Sequence, residues 1–263
     1  MLRGAIQLTG LVAVLLASIS CSYAAKVAPE FEFTLIESVK RSPAFTQGLE
    51  FYGTDLIHSS GLVGQSFIER RQHPKAFLAK QRWRTDLPAP VFAEGSSVIN
   101  DEIYLLSWRQ STGWRLAPET GKTIGEFKYT GQGWGLTNNG EHLIRSDGSA
   151  HLFFHRPGDF ALKHTLEVTW NDTPVRNLNE LEYAQGFIWA NIWQSDAIVA
   201  INPDSGEVEG SINLASLAQH EKASSRDNVL NGIAFDTATG DYWVTGKRWD
   251  HLYRLSIQLP EKH

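Results

Sequence analysis

An acid, a base, two carboxamides and three tryptophans fall at matched places along this 263-residue chain: Glu94, Lys247, Gln47, Asn179, Trp108, Trp134 and Trp193. A positioned carboxyl group can carry a proton. An ammonium group and two carboxamides can polarise a carbonyl and hold a developing oxyanion. Aromatic faces, with Phe45 and Phe92 beside them, can wall such groups off from water. A few convergent polar groups in an apolar lining is the composition of a small-ligand pocket. Taken singly, each has a plainer reading: a tryptophan in the core, a solvated lysine at a strand end, an asparagine in a turn. The matched positions are what make them a set.

Those positions come from a phrase that occurs five times: FTQGLEF at 45–51, FAEGSSV at 92–98, GWGLT at 133–137, LNELEY at 178–183 and LNGIAF at 230–235. One slot in it varies, reading Gln47, Glu94, Trp134, Asn179 and Asn231. The slots are 40 to 52 residues apart, the length of a propeller blade or a solenoid unit. A constant framework with a changing side chain implies a ring of equivalent positions facing one shared site.

The elements between the phrases read as strands. Short alternating or apolar runs follow each phrase, at 55–58, 102–106, 142–145, 187–190 and 241–244. Asn139-Gly140, Gln185-Gly186 and Thr239-Gly240 stand where a hairpin needs a positive φ. Only 214–224 has helical spacing, and it is short. The chain is therefore expected to be all-β, a five-bladed β-propeller of four-stranded blades. An isolated strand at 31–35 is expected to close the ring by pairing with 252–256. In a blade the second strand returns antiparallel to the first, so its end should meet the slot. Counting 13 or 14 residues onward reaches Ser60, Trp108, Asp147, Trp193 and Thr245, with Lys247 two beyond.

The ends and the composition set limits. Residues 1–24 carry Arg3, an apolar run at 11–17 and Ser22-Tyr23-Ala24, the pattern of a secretory signal peptide cleaved near Ala24 or Ala25. Ser18 stands where a lipoprotein signal ending at Cys21 would want a leucine-like residue. Cleavage would remove the only cysteine, so no disulfide or thiol chemistry is expected in the mature chain. Residues 25–263 read as one domain, with no linker or composition shift. The net charge of −5 and the lack of a basic run argue against nucleic acid and anionic membranes as partners. An exported monomer, periplasmic or secreted, is expected. HExxH, P-loop and GxSxG patterns are missing. His151 and His155 lie four apart, roughly 13 Å along a strand, too far for one metal.

The motifs FTQGLEF, FAEG with LSWR, GWGLT with RSDGS, LNELEY with ANIWQ, and LNGIAF with VTGKRW together resemble the plant and bacterial type of glutaminyl-peptide cyclotransferase. The likeness runs from about residue 40 to 255. It implies a five-bladed propeller that converts N-terminal glutamine of peptides or proteins to pyroglutamate, releasing ammonia without metal or other cofactor. Carried over motif by motif, it implies that Glu94, Lys247, Asn179 and Gln47 act in catalysis. Phe45, Phe92, Trp108, Trp134 and Trp193 would bind substrate, Lys247 is favoured over Thr245, and Asn231 has no assigned part. In that reaction the substrate's α-amine attacks its own γ-carboxamide. Glu94 is the candidate proton carrier, its pKa raised by the aromatic wall and lowered by Lys247, with the balance open. An open mouth is expected to tolerate varied second residues. Two other classes compete: a propeller lectin, which would repeat one side chain in every blade, and a metal-dependent propeller hydrolase, which would gather carboxylates where only Glu94 and Asp147 are obvious.

Overall fold

Strands here are short, four to eight residues in most cases, because apolar side chains alternate with polar ones only between closely spaced turns. The computed structural model describes residues 28–74, 80–221 and 226–260. The segment read above as a signal peptide, with Cys21, lies outside them. In chain order the strands are β1 (Phe33–Lys40), β2 (Thr46–Tyr52), β3 (Asp55–Ser60), β4 (Phe67–Arg71), β5 (Gln81–Asp86), β6 (Ala93–Ile99), β7 (Glu102–Ser107), β8 (Thr112–Leu116) and β9 (Thr123–Lys128). They continue as β10 (Leu136–Asn138), β11 (Leu143–Arg145), β12 (His151–His155), β13 (Leu162–Glu167), β14 (Thr169–Trp170), β15 (Thr173–Pro174), β16 (Leu178–Ala184), β17 (Phe187–Ile192), β18 (Ala197–Ile201) and β19 (Val208–Asn213). A six-residue helix α1 (Ala215–His220) precedes β20 (Leu230–Asp236), β21 (Asp241–Gly246) and β22 (His251–Ile257).

Five four-stranded antiparallel sheets result: β2-β3-β4-β5, β6-β7-β8-β9, β10-β11-β12-β13, β16-β17-β18-β19 and β20-β21-β22-β1. Their innermost strands neighbour one another in the cycle β2, β6, β10, β16, β20 and back to β2, so the architecture is a closed five-bladed propeller. The N-terminal strand is the outer strand of the last blade, with Val39 opposite Leu252 and Leu35 opposite Leu255. It runs over 33–40 rather than 31–35. Phe31 instead packs edge-on against Trp189 of the fourth blade, where Gly210 leaves room for its ring.

Apolar layers occupy the gaps between blades, one to a gap. Ile57 and Ile68 meet Ile103 and Leu105; Tyr104 and Phe127 meet Leu136 and Leu143; Ile144 and Phe154 meet Ile188 and Val199. Trp189 and Ile198 meet Tyr242 and Val244, and Trp243 and Leu252 meet Leu49 and Leu56 to close the circle. Trp189, Trp243 and Trp249 are fully buried there, which is the plain reading of a tryptophan. Each such side chain stabilises by roughly 1.5–3 kcal/mol when removed from water. Along the axis the inner strands are joined by polar ties. Glu180 accepts the backbone N–H of Leu49 and of Ile233 at 3.1 and 2.8 Å, Glu182 accepts Phe235 N–H, and Glu50 accepts Val98 N–H.

Candidate active site

In four of the five blades the variable slot is a β-bulge; the fifth, Trp134, lies just before β10. Pairing skips Gln47 between Thr46 and Gly48, and skips Glu94 between Ala93 and Ser96. It skips Asn179 between Leu178 and Leu181, and Asn231 between Leu230 and Ile233. A bulge turns one side chain out of the sheet alternation, which lets the slot residue face the mouth of the channel. In four of the five phrases the next residue is glycine. A Cβ on Gly135 would stand 2.0 Å from the carbonyl oxygen of Asn179, and one on Gly95 would stand 2.4 Å from the nitrogen of Leu136. The glycine lets the neighbouring blade's backbone approach where the slots converge.

All nine side chains singled out above line one cavity of about 490 Å³ at that mouth. The polar four form its floor: Gln47, Glu94, Asn179 and Lys247 are 2 to 5% exposed. The aromatic five are half-buried around them. Phe45 and Phe92 meet edge to face at 6.0 Å, and Phe92 leans on Trp108 at 5.5 Å. Trp134 and Trp193 meet edge to face at 5.9 Å. Gln132 joins the two aromatic tracts, its Oε1 accepting Nε1–H of Trp108 at 2.7 Å and of Trp134 at 3.0 Å. Gln132 stands two residues before its slot, as Phe45 and Phe92 do before theirs. That shared offset was the available signal for a residue the slot count passed over. Leu62, Arg109, Asp227 and Arg248 complete the lining and were likewise not anticipated.

The count of 13 or 14 residues to the second strand needs correction in three blades. The backbone N–H of Trp108, Trp193, Lys247 and Gly61 pairs with the carbonyl of Phe92, Asn177, Val229 and Phe45 respectively. Lys247, not Thr245, is thus the true counterpart of the two tryptophans. The last blade's inner hairpin spans Asp236 to Asp241 and is two residues longer than the Ala184–Phe187 turn. Thr245 is fully buried, donating to His251 O and accepting from Arg41. In the first blade the counterpart is Gly61, not Ser60, and a Cβ there would strike the Phe92 ring. Asp147 lies off the cavity and caps the N–H of Ser149. Asn231 has a place after all: its Nδ2 donates to Thr46 O at 2.9 Å and to Gln47 Oε1 at 3.2 Å. With its oxygen so held, Gln47 presents its amide N–H groups.

Electrostatics of the floor follow from dryness. Burial raises Glu94 well above the ordinary carboxylate range, and the attraction of Lys247 only partly opposes it. The question left open by the sequence is settled in favour of burial. Burial likewise lowers Lys247 to about 8, against the pull of Glu94 and Asp227. Among the described residues no group hydrogen-bonds to the Glu94 carboxyl, so both of its oxygens are available to a ligand. His155, of the histidine pair, is structural: it stacks on Phe160 and bonds its carbonyl.

An asymmetric, aromatic-walled pocket floored by a dry acid–base pair, where a lectin would repeat one side chain in every blade, fits an enzyme. Sequence and structural comparisons say which. The profile of the glutamine cyclotransferase family matches residues 9–257. A glutaminyl-peptide cyclotransferase of Arabidopsis thaliana is 34% identical over 222 residues, covering 82% of this chain and 68% of the plant protein. The crystal structure of Myxococcus xanthus glutaminyl cyclase superposes with a TM-score of 0.81 at 31% identity, over 89% of this chain and 99% of that one. The chain belongs to the glutamine cyclotransferase family, and its class of chemistry is acyl transfer.

Proposed function

We propose that this protein cyclises N-terminal glutamine of peptides or proteins to pyroglutamate and releases ammonia, without a metal, in the cavity floored by Glu94 and Lys247. One observation carries the reading. The cavity holds one carboxyl group free of protein partners and three donors, Lys247, Asn179 and Gln47, inside an aromatic wall. An intramolecular acyl transfer requires these parts and no enzyme nucleophile.

The α-amine of the substrate attacks the γ-carboxamide carbon, closing a five-membered ring. A C–N bond forms and the carbonyl π pair moves onto oxygen. Glu94 takes a proton from the ring nitrogen and delivers it to the leaving amide nitrogen. The oxyanion collapses, the old C–N bond breaks and ammonia departs. A carboxyl group raised by burial is a stronger base than a surface carboxylate. Lys247, Asn179 and Gln47 orient the γ-amide and stabilise the oxyanion. The aromatic side chains exclude water and curl the glutamine side chain toward its own amine. Cavity residues among those described offer no group of three His, Cys, Asp or Glu side chains placed to hold a metal ion.

The test is ammonia release and pyroglutamate formation from Gln-initiated peptides, with and without EDTA. Equal activity in both supports the reading. Activity abolished by chelator and restored by a metal would contradict metal independence. No activity at all would contradict the reaction. Export is proposed on the leader-like segment alone, and N-terminal sequencing of the mature protein tests it. No helix among the described residues is long and apolar enough to cross a membrane.

A further inference from the structure

A second cleft, of about 760 Å³, adjoins the first and shares with it Phe45, Leu62 and Arg248. The two non-aromatic residues of that common wall both have left-handed backbones, Leu62 at φ 86° and Arg248 at φ 59°. For non-glycine side chains this conformation is costly and persists only when the surroundings enforce it. Both are enforced. The carbonyl of Leu62 accepts Gln65 N–H at 2.9 Å and Ser66 Oγ–H at 2.8 Å. Ser66 Oγ in turn accepts Ala93 N–H at 3.1 Å, which ties the loop to β6. Arg248 N–H donates to Ala44 O at 2.7 Å, and its guanidinium donates to Asn228 and lies over the Phe45 ring at 5.1 Å. The partition between the clefts is thus rigid, and its two posts come from the first and last blades.

Beyond the partition the cleft offers apolar Phe67 and Leu87, and an Arg84 whose guanidinium lies 3.7 Å over Phe67 while bonding Asp86 at 2.7 Å. Arg84 is internally paired, so the cleft has no strong charge preference on that side. Val63, beside the partition, is 58% exposed, an apolar side chain left to solvent.

Resting on the glutamine reading above, we infer that the second cleft is a subsite for the substrate chain after its first residue. The first peptide bond crosses between Leu62 and Arg248. Arg248 donates to a main-chain carbonyl oxygen there, and an apolar second side chain lies against Leu62 and Phe67. The protein then distinguishes a peptide from a single amino-acid amide, and the mouth is less indifferent to the residue after glutamine than an open channel would be. Binding energy from this remote part of the substrate appears chiefly in KM where it is realised equally in the ground and transition states.

The experiment compares kcat/KM for glutamine amide and for Gln-Leu-Ala-Ala amide, in the wild type and in Gln65→Trp. Gln65 is an exposed loop residue that lines only the second cleft, and an indole there would occupy it. The inference expects the peptide to exceed the amide by about tenfold or more in the wild type, mainly through KM. Gln65→Trp should remove most of that advantage and leave glutamine amide unchanged. Equal kcat/KM for the two substrates in the wild type overturns the inference while leaving the cyclase reading intact. So does a peptide advantage that survives Gln65→Trp. Failure of the wild type to cyclise either substrate overturns both.

Discussion

Glu94 and Lys247 sit where neither keeps the protonation behaviour of a surface side chain. Burial lifts the acid and depresses the base to about 8, the perturbation expected of groups that exchange protons in a site. The consequence for Lys247 is measurable. It is a cation below about 8 and loses that charge as pH rises through it. If the cation stabilises the oxyanion, kcat/KM, which reports the free enzyme, falls on the alkaline side as Lys247 titrates near 8. In Lys247→Arg, which stays charged throughout, the alkaline limb moves to higher pH even if the rate itself drops. Coincident limbs in the two proteins would assign the titration elsewhere. At this scale most of the site was legible in the sequence, because the repeat labels equivalent positions. Gln132 was passed over: it shares the offset of Phe45 and Phe92 two residues before a slot, but a glutamine there carries no chemistry of its own. Its role is plain once both indole N–H groups are seen to converge on it.

The elements place these side chains through two devices, a bulge and a glycine. In four blades the bulge takes the slot residue out of the strand alternation. The glycine beside it lets the next blade close in. Gly135→Ala puts a methyl group 2.0 Å from the Asn179 carbonyl oxygen. It should cost about 3 kcal/mol or more in a denaturant titration, the upper part of the range for overpacking. It should also lower activity beyond the stability loss, since Asn179 must move. A stable, fully active Gly135→Ala would show that the blades have slack at the site. Strand count and blade boundaries were readable from alternation and turn residues. Register was not. Counting 13 residues reached Ser60, although the first blade's two-residue hairpin turn matches that of the fourth and 14 would have reached Gly61; counting 14 reached Thr245, because the last blade's turn is two residues longer and looks like any other turn in the sequence.

For the whole molecule, five apolar layers and five inner strands closing a ring explain stability without a disulfide. The ring also gathers Glu50, Glu180 and Glu182 along its axis, where desolvation raises all three. Glu50 rises to about 8. The folded state therefore holds this proton more tightly than the unfolded chain does. Its contribution is fully present below the unfolded value near 4.5 and is lost as pH rises through about 8. His58 and His155, lowered to about 4, act in the opposite sense and only below 6.5. Between pH 6.5 and 8 the wild type should thus lose stability with rising pH, and Glu50→Gln should lose less. Parallel slopes in urea titrations across that range would contradict the assignment. In the sequence these glutamates look like the solvent-facing members of alternating strands. Only closure of the ring turns that face inward.

The central claim is that Glu94 carries the proton in glutamine cyclisation. Glu94→Gln keeps the shape of the side chain and removes its acid–base capacity. Its rate of pyroglutamate formation from a Gln-initiated peptide, read by mass spectrometry beside a thermal melt, tests the claim most directly. The account predicts a folded protein slowed by about 10²–10⁴. A folded Glu94→Gln protein cyclising at near wild-type rate would contradict it.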